Sequence, residues 1–240
     1  MKMNRIWMIC LRSVGVISLL ILAAQFAWAE DAARGRVAVL NIMDTDVVHI
    51  HFGVTAFGDE DSHYSLPNGP LPDYIAVELK NKLKALGYDV VIVDAPLPVE
   101  DYPGFLVTKG WRDYKLTRAG REMVEKIVER EKADFVVLLE DYARSDVFQP
   151  AGASVSGHGL YTIGFIGKPR VPTSKVFGGF IGAVVTDRLK LLGTSAPPYM
   201  ETVDLSSLDK DGLLRIEGSL RLFSDQVISG LVMYLDGTFQ

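Results

Sequence analysis

A single cysteine, Cys10, occurs in the 240 residues, and it lies within the first 29. That opening segment carries Lys2, Arg5 and Arg12 with no acidic residue, then an apolar run from Val14, then Ala27-Trp28-Ala29 ahead of Glu30. A basic start, an apolar centre and a small-x-small ending are the marks of a secretory signal. Residues 1–29 are therefore expected to be a signal peptide cleaved between Ala29 and Glu30, leaving 30–240 as a single globular domain. Without its leader the chain has no cysteine. It then has no disulfide in an oxidising compartment, no thiol nucleophile and no Cys-based zinc site. Cys10 also precedes the apolar run, whereas a lipidation cysteine would follow it, so no lipid anchor is expected.

Positive charge is scarce as well. Removing the leader leaves 22 basic residues against 30 acidic ones, a formal charge of −8. A protein that neutralises phosphates needs a cationic face, so nucleic acid is not an expected partner. Long apolar runs are missing too: after residue 29 no stretch approaches the roughly 20 residues of a transmembrane helix. Val14–Ala29 is short for a span and includes Gln25, which favours cleavage over anchoring. The expectation is an exported protein of the periplasm, soluble after cleavage. The whole chain, leader included, is 48% hydrophobic and 23% charged, the balance of a folded protein, and residues 30–240 are enough for a domain that needs no staples.

The pattern along that domain alternates. Arg36–Met43 reads as a strand, and Asp44-Thr45-Asp46 as a turn into a second strand, Val47–Val54. In that second strand Val48, Ile50, Phe52 and Val54 form the expected core face, with Val47, His49 and His51 opposite. Residues 56–72 collect Gly, Pro and acidic residues and read as a long surface loop, of the kind that often carries function. Asp73 is a candidate cap for a helix to Leu86, with Ile75, Leu79, Leu83 and Leu86 in one stripe and Gly87 as its stop. Tyr88–Val93 is a strand. Thr117 opens a second helix with Met123, Val124, Ile127 and Val128 inward, and with Arg118–Glu122, Arg121–Glu125 and Glu122–Lys126 at four-residue spacing on its outer face.

Asp134–Leu139 is a continuous apolar run, as expected of a strand covered on both faces. Val155–Ile166 and Lys175–Thr186 form a Gly-rich hairpin expected at a sheet edge, and another strand is expected near Leu189–Leu192. The chain closes on a helix from about 213 to 235, with Leu220, Phe223, Val227, Leu231 and Tyr234 at helical spacing. The order strand, helix, strand, helix, strand, then hairpin and closing helix, predicts a mixed α/β fold in two or three layers.

Few motifs carry chemistry. His49 and His51, two apart on a strand, point the same way, as two ligands of a divalent transition metal would. A third ligand would come from His63 or from Asp59, Glu60 and Asp61. His158, alone between glycines, reads as structural or exposed. Gly152–Gly157 has Ser156 where a nucleophile elbow needs glycine at the end of G-x-S-x-G. Gly157-His158-Gly159 and Gly167-Lys168-Pro169 fail the dinucleotide and P-loop patterns, and the loop from Ser207 has Gly218 where a calcium loop needs glutamate. Asp209–Gly212 is a turn before the last helix. Glu140-Asp141 is a carboxylate pair past the central strand, where α/β folds place ligands, though a solvated strand end is the more common reading.

Two surfaces suggest binding. Phe177, Gly178, Gly179, Phe180 and Ile181 combine large apolar groups with residues that admit another backbone, which on an edge strand suits partner capture. The alternative is cover by the final helix. The succession of elements, with Ala133-Asp134-Phe135-Val136-Val137-Leu138 leading into the apolar strand, resembles the curli-secretion lipoprotein family and the amino-terminal domain of the Tol-system propeller protein. That resemblance covers about residues 36–235. It implies a periplasmic, non-catalytic module of envelope assembly or transport. The chain departs from the curli-type family in lacking a lipidation cysteine after the leader.

The functional expectation is thus an exported module that binds another envelope component through the hairpin and the 56–72 loop, with no cofactor. The alternative is a metal-dependent or hydrolytic enzyme built on His49, His51, His63, Asp59 and Asp61.

Overall fold

The computed structural model describes residues 34–52, 60–94, 104–109, 113–142, 157–163, 173–196, 199–203 and 208–237. The expected leader, Asp59 and the turn at 167–172 lie outside them. Residues Gly35–Gln240 form one compact unit. Its elements run β1 (Arg36–Ile42), β2 (Val47–Phe52), β3 (Glu60–Tyr64), α1 (Leu71–Ala85), β4 (Asp89–Val93), β5 (Leu106–Lys109), β6 (Asp113–Leu116) and α2 (Arg118–Glu131). There follow β7 (Phe135–Asp141), β8 (Gly157–Ile163), β9 (Thr173–Thr186), β10 (Leu191–Ser195), β11 (Tyr199–Val203) and α3 (Lys210–Asp236).

Nine strands join in one sheet along the path β3-β2-β8-β9-β7-β1-β4, with β10 and β11 also on β9, while β5 and β6 pair separately. The registers reveal a seam across this sheet. β7 occupies Phe180–Thr186 of β9, and β8 occupies Thr173–Gly179. β10 and β11 occupy Gly182–Val185 and Ser174–Gly178. Two strands cannot share one edge, so β7 and β8 lie end to end along one side of β9, with β10 and β11 end to end along the other. β1 continues into β2 in the same way, pairing first with β7 and then with β8, parallel to both. The chain therefore breaks and resumes between β1 and β2 and between β7 and β8.

Helices cover both faces of the half that contains β1, β4 and β7. On one face Leu71, Ile75, Leu79 and Leu83 of α1, with Leu220, Phe223, Val227 and Leu231 of α3, bury Val37, Val39, Val137, Leu139 and Val184. On the other, Val124 and Ile127 of α2 bury Ala38, Leu40, Val136, Leu138, Ala183 and Val185. The fold is thus α/β in three layers. The unbroken apolar run of β7 follows, since both of its faces are covered.

Helix ends follow local chemistry. Thr117 Oγ1 accepts the Gly120 amide at 3.0 Å and starts α2. Asp209 accepts from the Asp211 and Gly212 amides and starts α3. Asp73 is not the cap of α1: Pro70 precedes the helix without a side-chain bond, Pro72 enters its first turn, and Asp73 adds a favourable charge there. Gly87, at φ +87°, takes the turn that ends α1.

Three further expectations are corrected. The 56–72 segment is not all loop, because Glu60–Tyr64 pairs antiparallel with β2. The odd face of β2 is the one that meets the core: parallel pairing sets His49 beside the buried Leu160, and Val47 is buried, while Val48, His49, Ile50 and His51 are all half-buried. The Gly-rich hairpin is not at an edge. Its strand β9 is flanked on both sides, and Phe177, Gly178, Gly179, Phe180 and Ile181 are buried. The final helix covers that run. A Cβ on Gly178 would overlap the Phe223 ring, and one on Gly182 would stand 2.6 Å from Leu231. The glycines admit α3 to the sheet.

Candidate functional site

Two groups of functional side chains emerge, one buried at the seam and one beside the open end of the sheet. At the seam β7 ends in Glu140 and Asp141. The expected solvated strand end is absent for Glu140, which is 5% exposed. Its alternation with Val136 and Leu138 turns it to the α2 face, where its carboxylate accepts the Phe105 amide at 2.7 Å and the Leu106 amide at 2.9 Å. Burial raises the Glu140 pKa and these two amides oppose the rise. Glu140 is therefore a strap that holds the start of β5 to the end of the central strand.

Asp141 faces the other way. Its Oδ2 accepts the Asp44 amide at 2.7 Å and so ties β7 to the β1–β2 turn. Its Oδ1 is buried and, among the described residues, has no hydrogen-bond partner. Burial pushes its pKa up to about 7; the Asp44 amide lowers it, and the charges of Asp44 and Glu140 raise it further.

His158 lies in the same layer. Asp141 is opposite Phe180 and His158 opposite Gly178, two residues apart on β9 and hence on one face, the face toward Phe223. His158 is 1% exposed, and among the described residues neither ring nitrogen has a hydrogen-bond partner. Burial lowers its pKa to about 4, against the opposing charges of Asp44 and Asp46. Burial thus favours the uncharged form of both groups at the seam, the neutral imidazole and the protonated carboxyl.

The second group gathers on β2 and β8. His49 Nε2 lies 3.0 Å from Thr162 Oγ1, and His51 Nδ1 lies 2.8 Å from the same oxygen. One hydroxyl has a single proton to donate, so at most one of the two imidazoles presents a bare nitrogen to it and the other offers an N–H. Tyr64 tilts against the His49 ring with centroids 6.3 Å apart.

His63 does not join them. Register sets it opposite Val48, on the other face of the β2–β3 ribbon, where it is exposed. Asp61 pairs in register with Ile50, and Asp59 lies outside the described residues. The pairing of His49 with His51 was readable from their spacing; Thr162 was not, because it arrives from a strand 111 residues away. Glu140, Asp141 and His158 carried only the signal of polar residues at the ends of apolar strands.

The class of protein these elements define is a three-layer α/β domain with a broken central sheet. No protein-family model matches the chain. No curated protein matches it either. Among solved structures it is similar to protein XCC0632 of Xanthomonas campestris, of family DUF330, at 8% identity and a TM-score of 0.40, covering 88% of this chain and 91% of that one. It is also similar to the hypothetical protein CT253 of Chlamydia trachomatis at 14% identity and a TM-score of 0.40, over 85% and 98% of the two chains. Lipoprotein GNA1162 of Neisseria meningitidis gives 12% identity and a TM-score of 0.32, over 82% and 98%. None of the three assigns a function to this chain. Among the described residues no helix is long and apolar enough to cross a membrane.

Proposed function

We propose that the chain is an exported module of the cell envelope that binds another envelope component without transforming it, and that β3 is its docking element. The observation that carries the reading is the position of β3. Glu60–Tyr64 ends the strand path, with β2 on one side and, among the described residues, no strand on the other. Such an edge offers a row of backbone donors and acceptors to an extended segment of a partner. Exposed His63, with half-buried Ser62 and Tyr64, lies along it. The leader expected at residues 1–29 supports export. The buried Gly-rich run leaves the 56–72 segment as the better surface of the two first considered.

The test places a photo-reactive residue at His63 and, as a control, at Val77, which is 50% exposed on α1. The chain is expressed with its leader in bacterial cells. A discrete adduct from position 63 and none from position 77 is the expected result; equal labelling at both, or none at 63, overturns the reading. Metal-dependent chemistry is the second reading, and the convergence of His49 with His51 is what favours it.

A further inference from the structure

We infer that His49, His51 and Thr162 form a binding site for one divalent transition metal ion, with copper(II) held more tightly than nickel or zinc. The inference stands apart from the docking role of β3.

The period of a strand puts residues i and i+2 on one face, and His49 and His51 use it to aim ring nitrogens at a single point. That point is now held by the Thr162 hydroxyl, within 3.0 Å of both nitrogens. Metal–imidazole bonds are about 2.0–2.1 Å long, so an ion at that point needs the two nitrogens to close by about an ångström and the hydroxyl to move off by about one such bond length. Neutral imidazole can carry its proton on either ring nitrogen, so both can present a bare nitrogen without any change of net charge. Both histidines are half-buried and Thr162 is buried. Tyr64 limits the swing of His49.

Two imidazoles and a neutral hydroxyl suit copper, nickel or zinc and not calcium or magnesium, and the order of divalent affinities puts copper first. Among the described residues no group of three or more His, Cys, Asp or Glu assembles to hold a metal. The ion would therefore keep open positions for water or for a group from a partner, as catalytic sites do and closed structural sites do not.

The test is calorimetric titration of the purified full chain, prepared without chelator or affinity tag, with copper(II), nickel(II) and zinc(II) salts. Binding of one equivalent is expected, weakened about tenfold or more by His49→Ala or by His51→Ala and unchanged by His63→Ala. Thermal melts of the metal-free variants separate lost binding from lost folding. A second readout needs no variant: trace copper(II) should broaden the ring proton resonances of His49 and His51 before those of His63 and His158. Failure to bind in the intact chain, undiminished affinity in both His49→Ala and His51→Ala, or first broadening at His63 would each overturn the assignment. A β3 adduct in cells together with no metal uptake would leave the docking role standing and remove this site alone.

Discussion

The glycine at position 178 should be intolerant of even one added methyl, and for a reason that names its partner. A Cβ there would fall inside the ring of Phe223, which is fully buried and stacked edge-on against Phe180 with centroids 4.7 Å apart. Overpacking of this kind costs about 1–3 kcal/mol, partly offset by the roughly 0.5–1 kcal/mol that alanine gains over glycine within a strand. Gly178→Ala is therefore expected to destabilise by about 1–2 kcal/mol. Phe223→Leu alone removes buried ring contacts and should cost about 1–2 kcal/mol as well. In the double variant the smaller side chain leaves room for the methyl, so the combined loss should fall short of the sum by about 1 kcal/mol, since residues in contact couple while distant ones add. Urea denaturation of the four proteins measures this cycle. Losses that add to within about 0.3 kcal/mol would refute the idea that β9 is glycine-rich in order to seat α3.

Two further outcomes follow from the seam. Glu140→Ala leaves the Phe105 and Leu106 amides without their acceptor, at a cost of about 2–4 kcal/mol, and should speed hydrogen exchange at those two amides first; retained protection there would contradict the strap. The pH dependence of stability should show two opposed contributions. Asp141 has a folded pKa raised from 3.8 to about 7, so its contribution is complete below pH 3.8 and is lost as pH rises through about 7. His158 has a folded pKa lowered from 6.5 to about 4, so its contribution is complete above pH 6.5 and is lost as pH falls through about 4. Asp141→Asn should abolish the first loss and His158→Leu the second, each read from melting temperatures between pH 4 and 8; unchanged profiles in both variants would contradict the burial of these groups.

Much of the fold was legible because its signals are local. The Thr117 cap, the stripe of α3 and the apolar run of β7 each follow from neighbours within a few turns of chain. What was not legible depends on distant register. Nothing near Glu60–Tyr64 marks a strand, because EDSHY has little β propensity and is held by pairing to β2. The edge position expected for Phe177–Ile181 failed for the same reason: glycines in a strand signal close approach, but not whether a partner or the chain's own helix approaches. The period of two puts His49 and His51 on one face, but nothing in the local sequence tells that His63 stands opposite Val48. A charge at a strand end is usually solvated, and only the arrival of Phe105 and Leu106 explains the burial of Glu140.

The claim on which the account of function most depends is export. Cells expressing the untagged chain should be fractionated and the protein's intact mass measured in each fraction. The expected species is a periplasmic protein that begins at Glu30 and lacks residues 1–29. A full-length chain of 26.4 kDa confined to the cytoplasm would contradict it.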